Sequence, residues 1–205
     1  KAREKSRRFF QPEHLVRPRI IELRDVRFAE NELTDYFKAI GFGSDPQLST
    51  LNPQLTKLLH QFEEAKNFGS LIQPCLDEPT IGDARRAIEA KDLGGQLFLR
   101  ETHLKVLRVL EQAEALTQRY HIVVANPPYM GSGAFNAAVS VYVGDRYPTG
   151  KADLYACFII RCDELALAGG MFSMITIPNW MFLESFEDLR LNLLGKSSVA
   201  SVVQN

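Results

Sequence analysis

The chain has 205 residues, of which 45% are hydrophobic and 24% are charged, a composition close to that of average globular domains. This excludes a disordered tail, a collagen-like repeat and a small disulfide-rich protein, and the length fits the usual roughly 100–200 residues of one domain. Lysine and arginine number 24 against 25 acidic residues, so the net charge of −1 excludes a uniformly basic protein that wraps nucleic acid. A local basic face remains compatible with these numbers.

The first 27 residues form such a basic segment. They hold nine lysines and arginines against four acidic residues, while the remaining 178 residues carry a charge of −6. This charge suits either a solvated helix end or a patch that faces phosphate groups, and both readings stay open. Because the chain starts without Met and as if inside a helix, we expect it to be a fragment of a larger domain.

Residues 1–119 are predicted to be mostly helical, with one short strand at 20–23. A helix at 30–40 should stop at Gly41, and a turn-rich connector at 42–53 should follow. Further helices are predicted at 54–66, 83–91 and 97–119. The last of these carries apolar residues that we expect to face the core, namely Leu104, Leu107, Leu110, Ala113 and Leu116.

Residues 120–205 are predicted to be the C-terminal part of an α/β domain. The apolar run at 121–125 is typical of a strand buried on both faces, and 130–150 should be a loop. A helix at 153–168 should begin at Asp153 and end at Gly169 and Gly170. The remaining predicted elements are a strand at 171–177, a helix that opens with a capping box at Ser185 and Asp188 and closes at Gly195, and a strand at 198–203. This alternation predicts a parallel sheet of three strands with helices on its faces.

The cysteines and histidines do not indicate a metal centre or disulfides. Cys75, Cys157 and Cys162 are odd in number and lack CxxC spacing, and the four histidines are scattered. No apolar run approaches the roughly 18–20 residues of a membrane span, and no signal peptide is visible. A reduced cytoplasmic setting fits these features best.

The turn after the strand at 121–125 carries the clearest chemical signal. The carboxyl end of that strand, where open parallel sheets bind their ligands, is followed by four residues that we call the NPPY turn, namely Asn126, Pro127, Pro128 and Tyr129. A residue before proline is held extended, so Asn126 is stiffly presented. Its side chain offers a carbonyl acceptor and an amide donor, and Tyr129 offers a flat ring for stacking.

The NPPY turn therefore predicts a rigid clamp for a planar ring that carries an exocyclic amino group. The side chain of Asn126 and the carbonyl of Pro127 can accept the two amino hydrogens. Accepting both draws the nitrogen lone pair out of conjugation with the ring and makes the nitrogen more nucleophilic. A strong general base is not needed if the proton leaves after attack on an electrophile.

The strand and the NPPY turn resemble the signature of amino methyltransferases that use S-adenosylmethionine, chiefly the adenine-N6 DNA methyltransferases. Residues 151–158 are similar to the Asn/Asp-Leu-Tyr-x-x-Phe helix start of this family, and residues 169–172 and 177–180 to its next strand and proline-containing exit. The resemblance covers about 120–204. Residues 1–119 look most like the large restriction–modification and phage-exclusion methylases of the PglX type.

The resemblance implies a partial Rossmann-like methyltransferase fold and a set of roles. Asn126 and Pro127 would bind the target amino group, and Tyr129 would stack on an adenine flipped out of double-stranded DNA. Phe158 would lie near the adenine of S-adenosylmethionine, although it could equally be a core residue. Residues 131–133 would let the adjoining loop move, or would form an ordinary loop. Restriction or defence-system subunits are further partners that the resemblance implies.

The family's glycine-rich cofactor turn and its following acidic residue should precede the NPPY turn. The one candidate, residues 41–45, follows a helix-like stretch, so Gly41 is better explained as a helix cap. We therefore expect a fragment whose main S-adenosylmethionine-binding loop lies outside this chain, and which alone is inactive and binds little cofactor. The strand at 20–23 would correspond to the family's third strand, which two other strands separate from its fourth. Exposed sheet edges would favour a homodimer of the fragment.

Two alternatives remain open from the sequence. One is the same chemistry on another substrate, in a protein glutamine or RNA methyltransferase. These enzymes usually have a short connection before the NPPY turn, so the roughly 95 residues between Leu23 and the turn favour a large DNA enzyme. The other is a non-catalytic fragment that binds DNA or a partner protein.

Overall fold

The computed structural model describes residues 18–42, 46–91, 93 and 97–203, so most of the basic segment and residues 43–45 lie outside the described chain. Single helical turns lie at Ala65–Phe68 and Asn179–Phe182, and 3₁₀ turns at Gly69–Leu71, Ser132–Ala134 and Glu184–Phe186. The longer elements are α1 (Glu32–Ala39), α2 (Pro46–His60), α3 (Glu78–Glu89), α4 (Leu97–Thr117), β1 (Tyr120–Ala125), α5 (Ala137–Arg146), α6 (Leu154–Leu165), β2 (Ala166–Met174) and α7 (Glu187–Lys196).

The helices predicted in the first part of the chain are confirmed, with shifted ends. Helix α1 stops before Gly41, whose φ of +66° is the left-handed conformation that suits a glycine at a helix end. Helix α3 begins five residues before its predicted start. Asp77 caps it by accepting a hydrogen bond from the Thr80 N–H at 3.1 Å, and Pro79 lies in its first turn.

Helix α2 begins inside the stretch predicted to be a connector, so that prediction was wrong from Pro46 onward. Proline fits the first turn of a helix because its missing N–H would have no partner there. Helix α2 also accommodates Pro53 in its interior. Leu55, Leu58 and Leu59 are fully buried in its second half. Burial of this apolar face outweighs the turn-forming residues, as is usual for helices in proteins.

The core of the helical part lies between α4 and the helices packed on it. Leu110, Ala113 and Leu116 are buried as predicted, but Leu104 is 56% exposed. A helix turns about 100° per residue, so a stripe with strict spacing of three drifts about 60° at each step and leaves the buried face. Val106 and Val109 occupy that face instead.

The strand predicted at 20–23 is not formed. This segment has no regular secondary structure, and the backbone just after it bonds to the helices. The Arg24 N–H donates to the side-chain oxygen of Gln112 at 2.6 Å, and the Val26 N–H donates to the Phe62 carbonyl at 3.0 Å. These partners satisfy backbone groups that a neighbouring strand would otherwise pair.

Strands β1 and β2 form a parallel two-stranded sheet, in which Ile122 pairs with Met171. The register is interrupted once, because Tyr120 pairs with Ala166 and the partner then jumps to Met171. The extra residues of β2 form an irregularity next to the start of β1. The parallel pairing confirms the α/β class.

Gly169 and Gly170 lie in this irregularity, so the prediction that they end the preceding helix was wrong. Gly169 has a φ of +78°, and a Cβ on Gly170 would lie 2.9 Å from the carbonyl oxygen of His121. Two glycines suit a helix end or a bulge equally well, and the helix already ends at Leu165.

One face of the sheet is covered and the other is bare. Phe172 and Met174 pack with buried residues of α6 and α7, among them Tyr155. Four large apolar side chains of the other face are at least 63% exposed, namely Ile122, Val124, Met171 and Ile175. The prediction that β1 is buried on both faces is therefore wrong here, because no described element covers this second face.

The strand predicted at 198–203 also does not form, so the sheet has two described strands instead of three. Val199, Val202 and Val203 are 49%, 58% and 89% exposed. An extended segment becomes a strand only where the edge of a neighbour pairs with its N–H and C=O groups. The described elements bring no such edge to these residues.

Two further predictions about helices need correction. The segment 130–150, predicted to be a loop, contains α5, which Asn136 caps by accepting from the Val139 N–H at 2.9 Å. Helix α7 forms as predicted but without the capping box, because Ser185 lies in a 3₁₀ turn and Phe186 occupies the cap position. No helix in the described part of the chain is both long and apolar enough to cross a membrane.

Arg161 joins α6 to the helical part of the chain. Its side chain is buried, and its Nε donates to the Ser70 carbonyl at 2.9 Å. Nη2 donates to the carbonyls of Ile72 at 3.0 Å and Leu116 at 2.6 Å, and Nη1 to Glu164 at 3.2 Å. Leu116 lies in the last turn of α4, where carbonyls lack partners within the helix. One guanidinium thus connects α6, the end of α4 and the segment after α2.

Candidate active site

The NPPY turn follows β1 directly. The Ile175 N–H donates to the Ala125 carbonyl at 3.2 Å, so pairing between the strands continues up to the last residue before the turn. Pro127 is buried, whereas Asn126 and Pro128 are exposed. The structure therefore presents the side-chain amide of Asn126 to solvent from a backbone that the ladder holds on one side and a buried proline on the other.

The side chain of Tyr129 is held by two contacts. Its hydroxyl donates to the Ile175 carbonyl at 3.1 Å. Its ring meets Tyr155 edge to face, with centroids 6.3 Å apart and an angle of 75° between the planes. The side chain is still 48% exposed. An exposed ring with a fixed tilt can stack on a planar ligand beside Asn126.

The segment after Tyr129 is fastened to the start of α6. The Leu154 N–H donates to the Met130 carbonyl, and the Ser132 N–H to the Ala152 carbonyl, both at 2.9 Å. Asp153 accepts at one carboxylate oxygen from the Met130 N–H at 3.1 Å and from the Tyr155 N–H at 3.3 Å. We call these two paired segments, 130–132 and 152–154, the clip. Gly131 and Ser132, which were expected in a loop, are therefore held in place by the backbone hydrogen bonds of the clip.

The sequence predicted Asp153 as a helix cap but not its second contact. An aspartate before an apolar helical run signals a cap by itself. The bond to Met130 depends on a residue 23 positions earlier in the chain, and local patterns do not show such a pairing. The one sequence signal that related the NPPY turn to the start of α6 was the resemblance of residues 151–158 to the helix start of the methyltransferase family.

Gly150 allows the loop before the clip to approach α6 closely. A Cβ on this residue would lie 2.9 Å from the backbone nitrogen of Cys157 and 3.0 Å from the side chain of Ile160. Its carbonyl accepts from the Cys157 thiol at 3.2 Å and from the Asp153 N–H at 3.2 Å. The glycine therefore fixes the path that leads the chain into Asp153.

Replacing Gly150 with alanine is expected to destabilise the protein by about 1–3 kcal/mol, because helix backbone must shift to admit the methyl group. Gly144 is the matched control: it lies inside α5 with no atom within 4 Å of a Cβ, so alanine there should stabilise by up to about 1 kcal/mol. Urea denaturation of the two variants measures both changes in the free energy of unfolding, a decrease for Gly150→Ala and an increase for Gly144→Ala. Equal midpoints would contradict the close approach at Gly150.

Helix α6 carries buried aromatic and thiol groups. Tyr155 is fully buried, and its burial raises the pKa of the hydroxyl to about 12. That hydroxyl lies near the backbone amide of Trp180 but makes no hydrogen bond of standard geometry with a described residue. Burial also raises the pKa of Cys157 to about 12 and that of Cys162 to about 11, so both thiols are neutral near pH 7 and unsuited to act as nucleophiles.

Phe158 lies on the side of α6 that faces α5. It is half-buried against a cluster that includes Leu71, Val143 and Tyr147. The ring thus serves partly as core, as one reading of the sequence allowed, and keeps part of its surface open.

A cleft of about 680 Å³ with a mixed polar and apolar lining opens beside the clip. Its walls combine hydroxyl, cationic and acidic side chains, including Ser132, Ser140, Lys151 and Asp188. Among the residues that the structure describes, no three His, Cys, Asp or Glu side chains group to hold a metal ion. Separately, the NPPY turn offers neutral hydrogen-bond acceptors and an aromatic ring.

The parallel strands, the NPPY turn and the capped helix α6 are consistent with part of a methyltransferase-like α/β fold. Residues 47–205 match the model of the Eco57I restriction-modification methylase family, which is more than half of the chain. The chain therefore belongs to the Eco57I restriction-modification methylase family.

Two curated relatives are similar to the chain. The adenine-specific methyltransferase PglX of Lacticaseibacillus casei (strain Zhang) is 33% identical over 194 residues, which cover 93% of this chain and 15% of PglX. The adenine-specific methyltransferase BrxX of Escherichia coli O9:H4 (strain HS) is 34% identical over 145 residues, or 70% of this chain and 12% of BrxX. The chain thus spans a small part of the length of both relatives.

Proposed function

We propose that the protein containing this chain transfers a methyl group from S-adenosylmethionine to N6 of adenine in double-stranded DNA, for restriction–modification or phage defence. The observation that carries the proposal is the exposed side chain of Asn126, fixed between the end of the β1–β2 ladder and the buried Pro127. Both relatives are named adenine-specific methyltransferases, which supports the same target base. We also propose that the protein acts in the bacterial cytoplasm, where a DNA substrate of this kind is found.

In this proposal the NPPY turn prepares the amino group of the target base. The Asn126 side-chain carbonyl and the Pro127 backbone carbonyl accept its two hydrogens, while Pro128 keeps the turn rigid and adds no competing N–H. S-adenosylmethionine, when bound, would supply the electrophilic methyl group and leave as S-adenosylhomocysteine. With both hydrogens held, the nitrogen lone pair is drawn out of conjugation with the ring and becomes more nucleophilic. One proton then leaves the nitrogen to solvent, so the turn needs no strong base.

The base reaches the NPPY turn only outside the double helix, because the amino group is inaccessible within the stack. Tyr129 is placed to receive it, since its ring is 48% exposed and lies in the same turn as Asn126. Stacking on an aromatic ring contributes about 1–3 kcal/mol per base. This interaction would offset part of the cost of flipping the base.

The described residues fit one wall of a cofactor site. The open part of the Phe158 ring is a suitable surface for one face of the cofactor's adenine. We propose that the rest of the cofactor site comes from other parts of the longer protein. We likewise propose that residues 1–119 form a largely helical unit and residues 120–205 a part of the methyltransferase domain.

The substrate class can be tested on the full-length protein with S-adenosylmethionine that carries a radiolabelled methyl group. Duplex DNA, structured RNA and a protein extract are offered in separate reactions. We expect label in DNA alone. Label in RNA or in protein glutamine would replace the proposal with one of the two alternatives of the same chemistry, and label in none of them would favour a non-catalytic role.

Replacing Tyr129 with alanine is expected to lower kcat/KM for duplex DNA by about 10- to 100-fold, because a stacking surface is lost. Tyr129→Phe is the matched control, since it keeps the ring and loses only the hydrogen bond to Ile175, which is worth about 0.5–1.5 kcal/mol. The phenylalanine variant should thus retain most of the activity. Equal defects in the two variants would show that the hydroxyl matters and the stacking surface does not.

A further inference from the structure

We propose that Asp153 is a positioning residue for the NPPY turn, in addition to being the cap of α6. The proposal rests on the function proposed above. One carboxylate oxygen of Asp153 accepts two N–H groups, that of Tyr155 in its own helix and that of Met130 immediately after the turn. The first bond is the ordinary cap, and the second links the helix to the candidate active site.

The two bonds fix the turn from the side opposite the ladder. Upstream, Ala125 is held by its bond from Ile175, and the same Ile175 accepts the Tyr129 hydroxyl. Downstream, Met130 is held at both backbone groups, since Asp153 accepts from its N–H and Leu154 donates to its carbonyl. The four residues of the turn thus run between two anchors, and β2 and α6 set the distance between those anchors.

A hydrogen bond from a backbone N–H to a carboxylate is stronger than one to a neutral acceptor. It is also the part of the clip that depends on a side chain, because the other bonds join backbone groups. Substitution at Asp153 can therefore loosen the turn without removing the remaining clip bonds. We expect such a substitution to change the orientation of Asn126 and Tyr129 and to leave the groups that contact the cofactor unchanged.

Asp153→Ser and Asp153→Asn separate positioning from capping. Serine caps helices about as well as aspartate, but its shorter side chain does not reach the Met130 N–H. Asparagine retains a carbonyl oxygen at the position of the accepting carboxylate oxygen and also caps well. Asp77→Ser is the matched control, because Asp77 caps α3 in the same way, through the Thr80 N–H, and makes no described contact with the turn.

The test uses the full-length protein and two measurements. The first is hydrogen–deuterium exchange of the Met130 amide, resolved by fragmentation of the peptide that carries it. The second is steady-state methylation of duplex DNA. For Asp153→Ser we expect about tenfold faster exchange and an about tenfold lower kcat, with KM for S-adenosylmethionine unchanged. Asp153→Asn should restore both values to within about threefold of wild type, and Asp77→Ser should change neither.

Several results would overturn the proposal. Unchanged exchange at Met130 in Asp153→Ser would show that the bond does not hold the turn. Faster exchange at Met130 together with a wild-type kcat would show that the bond from Met130 to Asp153 has no effect on the reaction. An equal loss of kcat in Asp77→Ser would show that Asp153 acts only as a helix cap. If the wild-type protein does not methylate DNA, the proposed function fails, and the exchange measurement alone decides whether Asp153 fixes the turn.

Discussion

Replacing Asn126 with alanine is expected to lower kcat for DNA methylation by the full-length protein about 100- to 1000-fold. In the proposed reaction the side-chain carbonyl is one of two acceptors for the amino hydrogens, and a lost hydrogen bond to a group that changes charge during the reaction costs about this much. Asn126 is exposed, so its removal leaves the fold intact. Binding of S-adenosylmethionine should stay within about threefold of wild type, a difference of less than about 1 kcal/mol.

Two further variants sharpen this expectation. Asn192→Ala removes another exposed asparagine, on α7, and should leave kcat unchanged. Asn126→Asp keeps an acceptor oxygen and should retain more activity than the alanine variant. Wild-type turnover in Asn126→Ala, measured with saturating DNA and cofactor, would remove the side chain of Asn126 from the reaction.

Replacing Arg161 with alanine is expected to destabilise the 205-residue chain by about 3–5 kcal/mol, the cost typical of removing one partner from a buried charged network. Three backbone carbonyls would lose their donor, those of Ser70, Ile72 and Leu116. A lysine at this position carries one compact ammonium group and does not reproduce the fork of a guanidinium.

Trp180 makes the measurement direct, because it is the one tryptophan of the chain and packs in the cluster beneath the sheet with Tyr155. Its fluorescence during urea denaturation reports the unfolding of that cluster. Arg86→Ala is the control, since Arg86 forms an exposed ion pair with Asp83 that contributes at most about 1 kcal/mol. A similar midpoint for the two variants would contradict the role of Arg161 as the link between the two parts.

Most of the helices and the first strand could be predicted from the sequence because their signals are local. Apolar periodicity, a left-handed Gly41 and a β-branched run at 121–125 each belong to a few neighbouring residues. Where two structures share one local signal, the prediction failed. Gly169 and Gly170 suit both a helix end and a bulge, and the ladder with β1 decides between them.

The failures in the sheet have a different cause. Apolar side chains at Ile122 and Val124 predict burial on both faces, yet they are 64% and 77% exposed in the described chain. Apolarity predicts that a face is covered and does not say which segment covers it. The same holds for 20–23 and 198–203, where strand-like residues meet no paired edge in the described structure.

The candidate site could be predicted in part. The proposed chemistry of the NPPY turn rests on its residue types and on its place after a strand, and the structure leaves Asn126 exposed, as that proposal requires. The bond between Asp153 and Met130 and the ring contact between Tyr129 and Tyr155 join residues 23 and 26 positions apart. Contacts of this kind depend on how α6 packs behind the sheet, which local patterns do not contain.

The most direct test of the proposed reaction is the identity of the methylated nucleoside. Full-length wild-type protein and its Asn126→Ala variant are incubated with duplex DNA and S-adenosylmethionine that carries a deuterated methyl group, and the digested DNA is analysed by mass spectrometry. We predict deuterated N6-methyl-2′-deoxyadenosine with the wild type and at least about 100-fold less with the variant. Label on cytosine, or equal adenine labelling by the two proteins, would contradict the account.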